Sequence, residues 1–351
     1  MPSGLQHVRL VDFRCFESLA FEPGPGRTFI VGRNAQGKTS ILEAVCVLLR
    51  LQSPRTSSLS ETVRMGQGGF SVDGHVGETH LTCQWIDGSR RILFDSKPQS
   101  RSDDYLETAR VAWFSNSDLD LVRGGGSGRR RYLDFLGSQC VPGYRSALRA
   151  YERALRSRNA LLKEGRPRRE IEAFNEPLIE AGERIWAART DLTTALAPLA
   201  GSAAAEISGA GDKLAITFQP GGTGPLAESL ANSRPEEIRL RQTVTGPHRD
   251  DIDLHLNSLP AGPFASEGQQ RSIALALKLA QARHLRDTLG QPPLFLIDDV
   301  FGELDPVRRN RLLSALPTDA QTLITTTFLD WAECTPSDTT FELNNRTLRA
   351  L

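Results

Sequence analysis

Residues Gly32-Arg33-Asn34-Ala35-Gln36-Gly37-Lys38-Thr39 lie between a short apolar run, Thr28-Phe29-Ile30-Val31, and a helical pattern, Ser40-Ile41-Leu42-Glu43-Ala44-Val45. A strand, a glycine-punctuated turn and a helix, in that order, are the setting of a phosphate-binding P-loop. The glycines let successive backbone N–H groups turn inward around phosphate oxygens, where the helix N-terminus adds positive potential. Gly32 to Ser40 therefore form a candidate nucleotide cradle, with Lys38 reaching the β- and γ-phosphates and the Thr39 hydroxyl ligating Mg2+. A chance turn would account for the spacing but not for the strand and helix around it.

A second element, Pro293-Leu294-Phe295-Leu296-Ile297-Asp298-Asp299, is an apolar strand ending in two acids. The C-terminal ends of parallel strands open onto the ligand crevice. Asp298 is thus expected on Mg2+, usually through water, and Asp299 is expected to position or deprotonate an attacking water. Alone, the pattern is equally that of a buried strand with an acidic loop; the earlier P-loop favours the catalytic reading. A third element, Ser266-Glu267-Gly268-Gln269-Gln270-Arg271, reads as a capped helix start, and caps expose unpaired N–H groups that suit an anion.

At 351 residues the chain predicts two domains, or one with a large insertion. Strands are expected at Leu5 to Phe13, Leu19 to Phe21 and Phe29 to Val31, then a helix from Thr39 to Leu51. Alternation over residues 70–95 predicts an antiparallel meander, and Val111 to Phe114 a buried strand. The middle predicts an antiparallel helix pair: one helix with Tyr144, Leu148, Tyr151, Leu155 and Leu162 on its apolar face, ended by Gly165-Arg166-Pro167. The other runs from about Glu170 to Leu199, bent near Pro177, with Leu178, Gly182, Ile185, Arg189, Leu192 and Leu196 as its stripe. Residues 200–235, rich in small residues and proline around a strand candidate at Leu214 to Phe218, read as exposed loop. The last third returns to α/β: helix Gln269 to Leu289, strand Leu294 to Ile297, helix Val307 to Leu316 and strand Thr322 to Thr326.

The five cysteines show no metal or redox spacing and read as reduced residues of a cytoplasmic protein. No signal pattern opens the chain, and no apolar run approaches ~18 residues, so membrane insertion is not expected. Formal charge is zero, so any nucleic-acid contact must come from a local patch. Only five residues are lysine; nearly all positive charge is arginine, which suits bidentate phosphate contacts.

The order of P-loop, Ser-x-Gly-Gln helix start, acid-ended strand and Glu303-Leu304-Asp305 resembles the ATP-binding-cassette ATPases. Ser266-Glu267-Gly268-Gln269 stands as the signature motif and Leu304-Asp305 as the D-loop. Within that superfamily the chain resembles the RecF family over nearly its whole length. The blocks are Asn34 to Thr39, Leu42-Glu43-Ala44, Leu121 to Gly124, Arg129 to Asp134, Arg158 to Lys163, Thr245 to Asp251, Ala265 to Arg271, Asp298 to Asp305 and Thr325 to Trp331. The resemblance implies an α/β ABC-ATPase head with a mixed-sheet nucleotide-binding lobe (1–118 and 292–351) and an inserted, mainly helical lobe (119–291). It also implies an ATP-dependent homodimer in which Ser266, Gly268, Gln269 and Asp305 complete the partner's ATP site. The implied activity is weak ATP hydrolysis coupled to binding of double-stranded DNA and single-strand/double-strand junctions. The implied partners are RecR with RecO, which help load RecA at gaps.

Ala35 replaces the family's glycine and fits if its φ is negative. Glu267 replaces the usual Gln and puts a negative charge toward polyphosphate, which is expected to weaken ATP-driven pairing. Asn116 and Gly126 stand where prolines are usual. Arg123, Arg129, Arg130 and Arg131 flank Gly-Gly-Gly-Ser-Gly, and two readings stand: a flexible basic loop following a DNA backbone, or a solvated helix start with Arg131 paired to Asp134. Arg145, Arg149, Arg153 and Arg156 form a basic helix face, read as plain solvated surface. His248 is read as part of a structural turn. An SMC-like tether is disfavoured because the helix pair is short, and a monomeric P-loop kinase because it needs no signature motif.

Overall fold

The apolar residues that follow the glycine loop are too many for one face of a helix: Ile41, Leu42, Ala44, Val45, Cys46, Val47, Leu48 and Leu49 leave no polar stripe. Such a helix must be covered all round. In the computed structural model, which describes residues 4–209 and 211–351, the helix Lys38–Arg50 is buried at every position except Thr39. It packs against two sheets. One is antiparallel, with strand order Phe16–Phe21, Leu5–Phe13, Gly69–Val76, Thr79–Ile86, Ser89–Phe94 and Lys97–Pro98. The other runs Thr347–Ala350, Thr339–Asn344, Arg27–Val31, Thr322–Thr326, Leu294–Asp298 and Val111–Ser115. All of its neighbours pair in parallel except the terminal hairpin of Thr339–Asn344 with Thr347–Ala350. Leu294–Asp298 and Val111–Ser115 are nearly continuous in apolar residues and, like Thr322–Thr326, are buried along almost their whole length, as strands covered on both faces are.

These elements form one compact unit, residues up to Asp118 together with Gln281–Leu351; Leu119–Ala280 form a second. The return to the first unit falls after Ala280 rather than near 291, inside the helix Glu267–Leu289. A helix carries its hydrogen bonds across such a point, so no turn residue marks it. The far end of that helix belongs with the first unit, where Arg286 meets Asp319 at 3.2 Å.

The second unit is built on the helices Gly126–Cys140, Tyr144–Lys163, Asn175–Ser208 and Leu226–Leu240 and a three-stranded antiparallel sheet. Tyr144, Tyr151, Leu178, Ile185, Trp186, Leu226 and Leu230 share its core. The first helix of the pair ends as expected: Gly165 takes φ 66, and the N–H groups of Gly165 and Arg166 return to Leu162 O and Leu161 O. That is the two-bond left-handed C-terminal cap.

Three expectations change. The second helix starts at Asn175, after a separate short helix Arg168–Glu172, so Pro177 lies in a first turn, where its missing N–H costs nothing, and it causes no bend. That helix continues through Pro198 to Ser208 rather than stopping at Leu199. Residues 200–235 are not an open loop: they hold the end of this helix, the strand Leu214–Gln219 paired with Asp251–Leu256, and most of the helix Leu226–Leu240, which accommodates Pro235. Alanine, low in hydrophobic signal but best in helix propensity, hid the first of these.

Candidate functional site

The glycine loop leaves the strand Arg27–Val31 and delivers Lys38 as the first residue of its helix. Gly32 donates its N–H to Thr326 O at 3.2 Å, and a Cβ there would stand 2.5 Å from Leu343 O. A Cβ on Gly37 would stand 2.7 Å from Cys15 Sγ and from the Phe16 ring, and Gly37 takes φ 106, so only glycine serves at both points. Arg33, Asn34 and Ala35 are exposed at the loop tip. Ala35 takes φ 64, so the negative φ on which an easy fit depended is not met. The loop keeps the conformation that glycine would allow, and alanine bears a strain of about 1 kcal/mol.

Lys38 folds over the loop, its ammonium donating to Gly32 O at 2.6 Å and Arg33 O at 3.3 Å. Burial pulls its pKa down, opposed by the charges of Asp299 and Asp298. The Thr39 hydroxyl donates to Asp298 Oδ1 at 3.0 Å, so the two candidate Mg2+ ligands, 259 residues apart in sequence, meet. Burial raises the Asp298 pKa, while the hydroxyls of Thr325 and Thr39 work against that rise. One hydroxyl and one carboxylate beside a phosphate cradle fit Mg2+, which takes one or two protein oxygens plus substrate phosphate oxygens.

Asp299 follows in the left-handed region, φ 54. Its N–H donates to Thr325 Oγ1 at 3.0 Å, and the same hydroxyl donates to Asp298 Oδ1 at 2.8 Å. Its carbonyl accepts from Asn116 Nδ2 at 3.3 Å, and that amide also donates to Glu303 Oε1 at 2.8 Å. No spacing signal marks Thr325 or Asn116 for this role, since one stands in a threonine-rich strand end and the other is an isolated Asn. Asp305 caps the helix Pro306–Ala315, accepting from Arg308 N at 3.0 Å, and this bond, with the Arg308 guanidinium, lowers its pKa.

In the second unit, Ser266 and Gln269 form a reciprocal capping box: Ser266 N donates to Gln269 Oε1 at 3.0 Å, and Gln269 N to Ser266 Oγ at 3.3 Å. Gly268 lies within that turn. Glu267 meets Arg271 at 3.2 Å and Arg123 at 3.7 Å. Its charge is therefore offset locally, which weakens the expected repulsion of polyphosphate.

The basic loop does not exist as such. Gly126 begins a helix that contains Arg129, Arg130 and Arg131. Arg129 makes a bidentate pair with Asp251 (2.6 and 2.9 Å) and also donates to Leu121 O and Gly124 O. Arg130 donates to Asp250 O at 2.7 Å, and Arg123 bonds Gln270. Only Arg131 of the four extends into solvent without a bond of this kind to the scaffold; Asp134, its expected partner, instead meets Arg189 at 2.7 Å and Tyr144 at 2.5 Å.

Arg189 also reaches Asp250 at 2.6 Å, and Asp250 accepts from Trp186 and Gly221. His248 accepts from or donates to Tyr151 at Nδ1 (2.7 Å) and meets Thr243 O at Nε2 (2.9 Å). Since a carbonyl only accepts, Nε2 carries the proton and Nδ1 accepts from the tyrosine. The block Thr245 to Asp251 is thus mainly scaffold: Thr245, Gly246, Pro247 and Asp250 are buried, His248 and Asp251 half-buried, and Arg249 exposed. Among the described residues no group of three or more His, Cys, Asp or Glu could hold a metal, and no helix is long and apolar enough to cross a membrane.

A glycine loop between a central parallel strand and a buried helix, facing an acid-ended neighbouring strand, with a capped Ser-x-Gly-Gln helix in an inserted unit, defines a P-loop head of the ATP-binding-cassette and SMC class. An SMC head bound to the C-winged helix domain of ScpA shares the fold, with a TM-score of 0.56 at 14% identity, covering 99% of this chain and 97% of that one. The family model described as an AAA domain matches residues 7–108.

The DNA replication and repair protein RecF of Anaeromyxobacter sp. (strain Fw109-5) is 41% identical over 343 residues, covering 92% of each chain. That of Crocosphaera subtropica is 36% identical over 354 residues, covering 93% of each. The solved recombination mediator protein RecF-ATP of the RecFOR pathway superposes with a TM-score of 0.90 at 28% identity, over 100% of this chain and 99% of that one. The chain belongs to the RecF family of DNA replication and repair proteins.

Proposed function

We propose that this protein binds and slowly hydrolyses Mg2+-ATP, and that ATP drives it to dimerise on double-stranded DNA and on single-strand/double-strand junctions, where with RecR and RecO it helps load RecA at gaps. The observation that carries the reading is the meeting of Thr39 Oγ1 with Asp298 Oδ1 at 3.0 Å beside the Lys38 loop. The ATP-bound structure of a relative supports the choice of nucleotide. The two-unit division is read as a nucleotide lobe and an inserted lobe that presents the signature motif.

Gly32 to Ser40 supply the backbone N–H groups of the cradle, and Lys38 turns from the loop carbonyls to the terminal phosphates. Thr39 and Asp298 would hold Mg2+, which supplies charge neutralisation at the β- and γ-phosphate oxygens. Asp299 orients the attacking water and accepts its proton. Ser266, Gly268 and Gln269 of a second copy, with Asp305, close the site. Asp299 is one methylene shorter than a glutamate, and a misplacement of about 1 Å can cost ~100-fold in rate. Slow turnover follows, with ATP acting as a timed clamp. The helix pair is limited by the 20-residue helix Tyr144–Lys163, ~30 Å long, which is too short for a bridging tether. DNA is contacted through exposed arginines such as Arg131, independently of sequence and with strong salt dependence.

Sedimentation with and without Mg2+-ATP tests the clamp. A nucleotide-dependent dimer that is lost in Ser266→Arg is the expected result. A monomer throughout, with ATP shown to be bound, would overturn self-pairing.

A further inference from the structure

Asp299 is the one acid of the site whose own backbone is unfavourable. Its left-handed φ of 54 turns the chain sharply just after the strand Leu294–Asp298. A residue in that region is displaced easily unless its peptide groups are fixed from outside. Both are. On one side, the strand Thr322–Thr326 offers Thr325, fully buried, whose hydroxyl accepts the Asp299 N–H at 3.0 Å while donating to Asp298 Oδ1 at 2.8 Å. The Thr325 carbonyl accepts the same N–H at 3.2 Å. On the other side, the strand Val111–Ser115 ends directly opposite Asp298 and is followed by Asn116. Both Nδ2 hydrogens of Asn116 are used, one on Asp299 O at 3.3 Å and one on Glu303 Oε1 at 2.8 Å.

We propose that Thr325 and Asn116 are positioning residues for hydrolysis: together they clamp the Asp299 peptide so that its carboxylate is held toward the attacking water while Asp298 is held toward the Mg2+ side. The inference rests on the proposed ATPase reading. It separates two roles that the adjacent acids otherwise share. Asp298 takes the Thr325 and Thr39 hydroxyls as donors, whereas Asp299 needs the Thr325 hydroxyl as acceptor and the Asn116 amide as donor. The Thr325 hydroxyl has one hydrogen and spends it on Asp298, so its bond to Asp299 N–H uses a lone pair. Valine has the same shape and can do neither; serine can do both. Asn116 is exposed, so its loss removes the bonds without opening a cavity.

Single-turnover cleavage of Mg2+-ATP and the nucleotide dissociation constant are measured for the wild type, Asn116→Ala, Thr325→Val and Thr325→Ser. The clamp requires Asn116→Ala to lower the cleavage rate about 10-fold or more with nucleotide affinity kept within about 2-fold, since misplacement by about an ångström can cost ~100-fold. It also requires Thr325→Val to lower the rate at least as far, and Thr325→Ser to restore it. Cleavage at the wild-type rate in Asn116→Ala, or equal loss in Thr325→Ser and Thr325→Val, overturns the clamp. If Thr325→Val fails to fold, the exposed Asn116→Ala still decides. A wild type that binds Mg2+-ATP but never cleaves it refutes the ATPase reading instead, and is told apart because all four proteins are then alike.

Discussion

His248 is half-buried, with its Nε2 proton given to Thr243 O and its Nδ1 accepting from Tyr151, an arrangement open only to the neutral ring. Burial, helped by the charges of Arg249, Arg130 and Arg158, lowers its pKa from 6.5 to about 4. The unfolded chain therefore takes up a proton at this residue before the folded one does. Stability from the neutral ring is fully present above pH 6.5 and is lost as pH falls from there toward 4, because the unfolded state binds more protons over that window. At 1.36 kcal/mol per pH unit the whole loss is about 3 kcal/mol, of which about 2.5 kcal/mol is reached by about pH 4.5. Urea unfolding at about pH 7.5 and about pH 4.5 can be followed by tryptophan fluorescence, to which Trp186, in the core that holds His248's partner Tyr151, contributes. The comparison is with His248→Gln, which removes the titrating group and keeps the same carboxylates. Burial raises the Asp250 pKa, which favours the folded state in acid, but that contribution is common to both proteins and cancels. The wild type should lose about 2.5 kcal/mol more than the variant between the two pH values. Equal losses would refute the neutral state of the ring.

Two further outcomes are expected. Ala35→Gly relieves the φ of 64 at the loop tip and should raise thermal stability by an amount equivalent to at most about 1 kcal/mol, the gain being trimmed by glycine's larger unfolded-state entropy; calorimetry reads this, and a fall in Tm would count against the strain. Arg129→Ala removes a bidentate pair and two carbonyl contacts from a mostly buried guanidinium and should cost about 2–3 kcal/mol, whereas exposed Arg131→Ala should change stability by less than about 0.5 kcal/mol while weakening DNA binding and its salt slope. Denaturant titration and DNA titration at several salt concentrations check the pair.

The site's principal acids and cradle were legible because each has a local signature: the glycine loop needs glycine where Leu343 O and Cys15 Sγ approach, and Asp298 ends a run of buried apolar residues. What linear reading missed is decided by partners far away in sequence. Neither the DNA-following loop nor the solvated helix start that stood open for Arg129 and Arg130 anticipated their anchoring, because Asp250 and Asp251, which hold them, lie about 120 residues on. The same applies to Thr325 and Asn116, whose partners are peptide groups and carry no residue-type signal. Ala35 shows a different limit: its identity left the sign of φ open, and the surrounding loop imposes a positive one. Residues 200–235 misled because alanine and proline content looks like linker until a helix is long enough to absorb it.

The strand that launches the glycine loop has Thr322–Thr326 on one side and Thr339–Asn344 on the other. On a ribosome both neighbours emerge long after it, roughly 300 residues later, or about 15–60 s at ordinary elongation rates. The inserted unit, Leu119–Ala280, is contiguous in sequence and can close its core within that interval. The older N-terminal segment can cover one side of the helix Lys38–Arg50 with its own antiparallel sheet, but it must wait with an unpaired strand and the helix's other side bare, a state that invites aggregation and chaperone binding. Nucleotide can lend no stability during this wait, because the cradle is assembled only when the youngest part of the chain has docked beside the oldest.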